Sequence, residues 1–200
     1  MAIYLVSNLD YRRFLYNRRG VSAVLSHALE ESWALAGSQQ PAVFVNWYDA
    51  KTYAEWLSNE LIIVHPNRKH AIYRLPSSME WEYSARNRMD DRMYPWGNSP
   101  AVDRALCSDC RTESDDQTSS IDQFKQTDSG IYSIVGNVTQ WTSDAVNPME
   151  SADRLPTTKM VLRGGSLNTD ASVLRAGIYS ESGAIYQHSD GGFRVCRSSS

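Results

Sequence analysis

Apolar residues recur at helical spacing in three stretches within the first ninety positions. The first begins at Ser7, where Ser-Asn-Leu-Asp has the form of a capping box, and Leu9, Tyr11, Phe14 and Leu15 supply its apolar positions. The second follows the strand-like run Ala42–Asn46. Asn46 is placed to cap it, with Trp47, Ala50, Tyr53, Ala54 and Leu57 on the buried side. The third opens behind Pro76 with Ser77-Ser78-Met79-Glu80, a Ser-x-x-Glu box, and Trp81, Ala85 and Met89 line one face. Beyond Tyr94 the helical period stops. Pro95–Pro100 is turn chemistry, and residues 108–129 are polar, acidic and rich in Ser and Thr. Short strands are predicted over Lys159–Arg163, Leu174–Tyr179 and Gly192–Arg197. Helices followed by short strands among long loops predict an α+β fold rather than a doubly wound sheet.

Composition narrows the function classes. A net charge of -3 argues against a nucleic-acid partner, which would select a basic face. No apolar run approaches the roughly 18 residues that span a bilayer, so membrane insertion is not expected. The N-terminus lacks a basic region followed by a long apolar stretch. That pattern favours the cytoplasm or a phage particle as the location. Six Trp and eleven Tyr imply either large side chains covering irregular backbone or an aromatic binding surface. Cys107 and Cys110 form one CxxC without the second ligand pair that zinc needs, so ordinary thiols or a local disulfide are expected there.

Four blocks in order carry a family resemblance: VFVNWYDAKTYAEWLS (Val43–Ser58), YRLPSSMEWEYSAR with YPWGN (Tyr73–Arg86, Tyr94–Asn98), GIYSIVGNVTQWTSD (Gly130–Asp144), and VLRGGS with GGFRVCR (Val161–Ser166, Gly191–Arg197). Together they resemble the formylglycine-generating-enzyme/sulfatase-modifying-factor domain, a branch of the C-type-lectin-like fold. SNLDYRRFL (Ser7–Leu15) is similar to the first helix of that family, and the chain begins without the strand that usually precedes it. The resemblance implies one C-type-lectin-like domain over residues 1–200, loop-rich, with short strands and two or three helices. Trp81, Trp96 and Trp141 are expected as core piers. Arg74, Arg163 and Arg194 are expected to hold loop carbonyls or carboxylates such as Glu80, Glu82 and Asp144.

The family's known chemistries lack their residues here. Its copper-using oxidases carry a cysteine pair after the RGGS-like turn, because Cu(I) prefers soft thiolates. Leu167–Ser182 contains no cysteine, and Cys196 reads as a small buried apolar group. The iron sulfoxide synthases use a histidine set, whereas His27, His65, His70 and His188 show no helical pairing. Calcium-binding relatives have an acidic residue where this chain has Gln140, which leaves the carbonyls of Gly136 and Val138 with little charge to support a site. Asp115, Asp116 and Asp128 read as a solvated loop. No catalytic residue, metal ligand or cofactor is therefore expected.

Other relatives with this scaffold are the variable proteins of diversity-generating retroelements, which rewrite the segment between an RGGS-like turn and a GFR-like strand. The resemblance makes residues 163–197 the variable ligand-binding segment. Its framework is Arg163–Ser166, Leu174–Gly177 and Gly191–Arg197. The binding positions are Leu167, Asn168, Thr169, Asp170, Val173, Ile178, Tyr179, Glu181, Ala184, Ile185, Tyr186, Gln187, His188, Ser189 and Asp190. Most of these residue types are reachable from Asn codons by changing adenines, while Glu181 and Gln187 are not. Tyr offers rigid, amphipathic contact area, and small polar residues adapt their hydrogen bonds. Ile178-Tyr179 and Ile185-Tyr186 would anchor a protein or another exposed surface ligand. The alternatives are core Ile and Tyr residues on ordinary strands, or a metal-dependent oxidase with displaced ligands.

Overall fold

The computed structural model describes residues 1–19, 37–64, 71–88, 91–110, 117–147 and 158–199. His27, His65, His70, Met89, Asp115 and Asp116 lie outside them. The three expected helices form, each at its cap. Helix α1 spans Asn8–Arg19. Ser7 Oγ accepts from the Asp10 amide at 3.2 Å and donates to its carboxylate at 2.7 Å. Helix α2 spans Trp47–Val64. There Asn46 Oδ1 accepts from the Asp49 amide at 2.9 Å, and Asp49 Oδ2 accepts from the Asn46 amide at 3.1 Å. Strand β1, Ala71–Arg74, leads to helix α3, Ser78–Ala85, whose N-cap Ser77 and Glu80 form both arms of the box. Such caps satisfy amides that a helix start leaves unpaired, for about 1 kcal/mol each.

Tyr11, Phe14 and Leu15 are buried, but Leu9 is 54% exposed. Leu9 lies two residues before Tyr11, a rotation of about 200° on a helix, so it faces solvent. Ala42–Asn46 forms no strand. Phe44 has a φ of 54°, and the amides of Ala42 and Phe44 donate to the carbonyls of Val6 and His188 at 2.9 Å each.

The remaining strands are β2 (Thr139–Ala145), β3 (Lys159–Arg163), β4 (Tyr179–Gly183), β5 (Gly191–Gly192) and β6 (Cys196–Ser199). One sheet runs β4-β3-β2-β5, with β5 parallel to β2 and the other pairs antiparallel. A second sheet pairs β1 with β6. Two strand predictions shift. Residues 171–177 are turns, and β4 starts only at Tyr179. Leu174 and Ala176 sink into the core while Arg163 takes the carbonyls of Ala176 and Ile178, leaving these groups to no ladder. The predicted Gly192–Arg197 strand splits into β5 and β6, because Phe193 and Arg194 turn fully inward between them.

The core has two clusters. One gathers Tyr11, Phe14, Tyr53, Trp141 and Phe193 under α1 and α2; the Tyr53 and Phe193 rings meet edge-on at 5.3 Å. The other surrounds Trp81, Leu174 and Ala176 and includes the Cys107–Cys110 disulfide. Trp81 and Trp141 are the expected piers, both wholly buried. Trp96 is only partly buried at the edge of the second cluster. Gly164 (φ 95°) and Gly165 (φ 61°) make the bend after β3, where a Cβ would come within 3.0 Å of the Ile134 carbonyl and 2.7 Å of Thr169 Oγ1. Only glycine fits both the angle and the space. Among the described residues no helix is long and apolar enough to cross a membrane.

Candidate binding face

Arg163, at the end of β3, ties helix α3 to the turn before β4. Its side chain is 7% exposed and donates to Ser78 Oγ at 2.8 Å, to Glu82 at 3.0 Å, and to the carbonyls of Ala176 and Ile178 at 3.1 Å. Glu82 also accepts from Arg86 at 2.8 Å, so one carboxylate anchors two guanidinium groups. Beyond the RGGS turn, Asp190 holds Ser166 Oγ at 2.6 Å and Asn168 Nδ2 at 3.0 Å, joining the two ends of the segment. The disulfide turn clamps its middle. Asp109 accepts from the Ala171 amide at 2.7 Å, and the Ser108 amide donates to Thr169 O at 2.9 Å. At the far side the amides of Trp47 and Phe44 donate to the carbonyls of Ala184 and His188 at 3.0 and 2.9 Å. Except at Asp190 and Asn168, whose own side chains make the bond, the segment is held through its backbone at these points.

The segment divides by exposure. Ile178 (42%), Tyr179 (56%), Ile185 (48%) and Tyr186 (61%) face solvent, so they are not the strand-core residues their β-propensity permits. Asn168, Asp170, Glu181, Gln187 and Ser189 are exposed, and Leu167, Thr169, Val173, His188 and Asp190 are half-buried. The Ser172 hydroxyl beside Asp170 lowers the Asp170 carboxyl below its usual range. Glu181 pairs with Lys159 at 2.9 Å across β4 and β3. Ala184 departs from its expected place: it is wholly buried in the first core cluster, with its amide bonded to Thr158 O at 2.9 Å, so its side chain is not on the surface. Sequence reasoning missed Met79 (82% exposed) and Tyr83 (60%) on α3, beside the Ser78 and Glu82 that hold Arg163. Their spacing of four, off the Trp81 and Ala85 face, was the available signal.

The donor sets of the family's metals do not fit the described residues. Cys107 and Cys110 are bonded to each other, so the Cys107, Asp109 and Cys110 cluster offers no thiolate. Cys196 is single and buried on β6. His188 bonds Ser182 Oγ through Nε2 at 2.8 Å, and no carboxylate is bonded to its ring among the described residues. The groups a calcium would need are already engaged. Gln140 Oε1 accepts from Trp81 Nε1 at 2.9 Å and Arg194 Nε at 2.8 Å, while its Nε2 donates to Ile134 O at 2.8 Å. Asn137 bonds Ser119 through both ends of its amide, at 3.0 and 2.9 Å. Arg194 donates to the carbonyls of Tyr132 and Ser133 at 3.0 and 2.9 Å. A buried guanidinium at these carbonyls repels a second cation.

The sulfatase-modifying factor enzyme 1-like domain matches residues 1–199. The formylglycine-generating enzyme of Thermomonospora curvata is 30% identical over 149 residues, 70% of this chain and 44% of that protein. The mouse enzyme of the same name is 32% identical over 124 residues, 57% of this chain and 30% of that protein. A bovine protein named inactive C-alpha-formylglycine-generating enzyme 2 is 31% identical over 134 residues, 63% and 38% of the two chains. The chain thus spans less than half the length of these three relatives. Among solved structures, Treponema denticola variable protein 1 superposes with a TM-score of 0.66 at 23% identity, covering 80% of this chain and 72% of that one. PvdO from Pseudomonas aeruginosa gives 0.63 at 25% identity, covering 80% and 63%. The fold is of the α+β formylglycine-generating-enzyme type, and the chain belongs to the sulfatase-modifying factor enzyme 1-like domain family.

Proposed function

We propose that this chain is one non-catalytic ligand-binding domain that displays a diversified face, built by residues 163–197, to a protein or another exposed surface ligand. The observation that carries the reading is the exposure of Ile178, Tyr179, Ile185 and Tyr186, while Leu174, Ala176, Ala184 and Phe193 between and around them are wholly buried. Four large apolar or amphipathic groups facing water on one anchored segment suit the aromatic-rich chemistry of adaptable binding surfaces. The fold shared with a variable protein of Treponema denticola supports the same reading. So does the kinship with a bovine protein named as inactive. Met79 and Tyr83 are also exposed, on α3, whose Ser78 and Glu82 hold Arg163.

The genomic neighbourhood tests the diversification. A reverse-transcriptase gene and a near-copy of the segment with Asn-rich codons are expected; absence of both refutes it. Metal analysis of purified protein tests the absence of catalysis. Stoichiometric copper or iron would overturn the non-catalytic reading, since the described cysteines and histidine supply no matching donor set.

A further inference from the structure

A second recess lies around Trp96 and shares no lining residue with 163–197. Its wall is set by a tight turn in which Tyr94 and Gly97 exchange two backbone bonds of 3.0 Å. The turn stacks the Tyr94 and Trp96 rings at 5.2 Å with an angle of 5° between their planes. The Arg104 guanidinium sits 6.0 Å from the centre of the Trp96 ring. Trp96 Nε1 is already satisfied by Ser99 O at 3.0 Å, so the indole offers apolar surface rather than an open donor. The resulting cavity has a volume of about 490 Å³, and Lys125 and Thr127 help to close it. That volume suits a small organic ligand. A narrow extension beneath it reaches Ile131 and Ile134.

The charges decide what the cavity prefers. Arg92 is neutralised by Asp128 at 3.0 Å and also braced on Pro95 O at 3.3 Å. Arg104 and Lys125 have no carboxylate within ion-pair distance among the described residues, and Asp103 is the remaining acid of the wall. Among the described residues the lining thus holds three cations, Arg92, Arg104 and Lys125, against two carboxylates, Asp103 and Asp128, in a chain whose net charge is -3. An aromatic stack ending near an exposed guanidinium accepts a further planar group, because guanidinium stacks on π-systems while its edge donates to an anion.

We infer that this recess binds a small planar aromatic anion, its ring against Trp96 and Arg104 and its carboxylate or phosphate toward Arg104 and Lys125. Indole-3-acetate and AMP serve as carboxylate and phosphate probes, with adenosine and inorganic phosphate as controls lacking one half of the chemistry. Binding is read from the Trp96 indole N–H signal in nuclear magnetic resonance, identified by its loss in Trp96→Phe. At least one aromatic anion should shift that signal saturably, and both controls should bind about tenfold more weakly or worse. Saturation by indole-3-acetate alone assigns a carboxylate ligand, and by AMP alone a phosphate ester. Arg104→Ala and Lys125→Ala, both at exposed positions, should each weaken binding about tenfold without changing the melting temperature. No saturation by either anion up to about 10 mM, a control binding as tightly as the anions, or unchanged affinity in both variants would overturn the inference.

Discussion

Replacing Arg194 by Lys keeps the buried charge and removes the forked geometry that distributes it. Arg194 is wholly buried between β5 and β6. Its Nε donates to Gln140 Oε1 at 2.8 Å, Nη1 to the carbonyls of Ala2 (3.1 Å) and Ile3 (3.4 Å), and Nη2 to those of Tyr132 (3.0 Å) and Ser133 (2.9 Å). Burial pushes its pKa down to about 9, so it remains a cation at neutral pH. An ammonium has three donors radiating from one point and cannot reach three separate pieces of chain. Gln140 Oε1 keeps Trp81 Nε1 and Ile3 O keeps the Tyr132 amide, so the loss falls on the carbonyls of Ala2, Tyr132 and Ser133, of which two left without a donor cost roughly 1–3 kcal/mol each. The expected loss is about 4 kcal/mol, a large share of the roughly 5–15 kcal/mol typical of a folded domain. At about 2–4 °C per kcal/mol for this chain length, the melting temperature of Arg194→Lys should fall by about 8–16 °C. Thermal unfolding followed by near-ultraviolet circular dichroism reads this directly. A fall below about 3 °C would show that the carbonyls of Tyr132 and Ser133 do not depend on the fork, and the reasoning would be refuted.

The other expectations are briefer. Glu80 is held down to about 2 by its hydrogen bonds with Arg74, at 2.6 Å on both oxygens. A depressed acid stabilises the fold above its unfolded pKa, so the advantage of the wild type over Glu80→Gln should be full above about pH 4.5 and vanish toward pH 2. A stability gap independent of pH would contradict this. Replacing Ile178, Tyr179, Ile185 and Tyr186 together by Ser should cost less than about 2 kcal/mol in urea unfolding, because exposed positions each contribute within about 0.5 kcal/mol. Phe193→Ala, in the core, should cost about 3–5 kcal/mol by the same measurement. Gly164→Ala should lower the melting temperature measurably, since its Cβ meets the Ile134 carbonyl at 3.0 Å with φ at 95°. An unchanged melting temperature would mean that the bend relaxes freely.

Local chemistry explains what was readable in advance. Capping residues act on amides within three positions, so Ser7, Asn46 and Ser77 announced their helices without reference to the rest of the chain. The strand Lys159–Arg163 was readable from the apolar run Met160-Val161-Leu162. Predictions failed where distant partners intervene. The run Ala42–Asn46 has strand composition, yet its amides are taken by Val6 and His188, far away in sequence. Residues 174–177 look extended, yet Arg163 and the second core cluster draw them into turns.

The candidate site shows the same division. From the family resemblance came the framework of RGGS and GGFR, the missing thiolate pair, and the proposed binding segment between them. The sequence could not say which way each residue points. Ile178, Tyr179, Ile185 and Tyr186 read as anchors or, alternatively, as core-strand residues, and Ala184 as a binding position. Tertiary structure sends the first four to solvent and buries Ala184. The physical reason is that orientation depends on which backbone groups the neighbouring elements claim. Trp47 and Thr158 pin Ala184 inward from both its carbonyl and its amide. Arg163 grips the carbonyls just before Tyr179 and sets where β4 emerges. Periodicity and capping determined the helices, and the family resemblance nominated the segment proposed for binding. Long-range hydrogen bonds, which no local pattern encodes, decided the face they form.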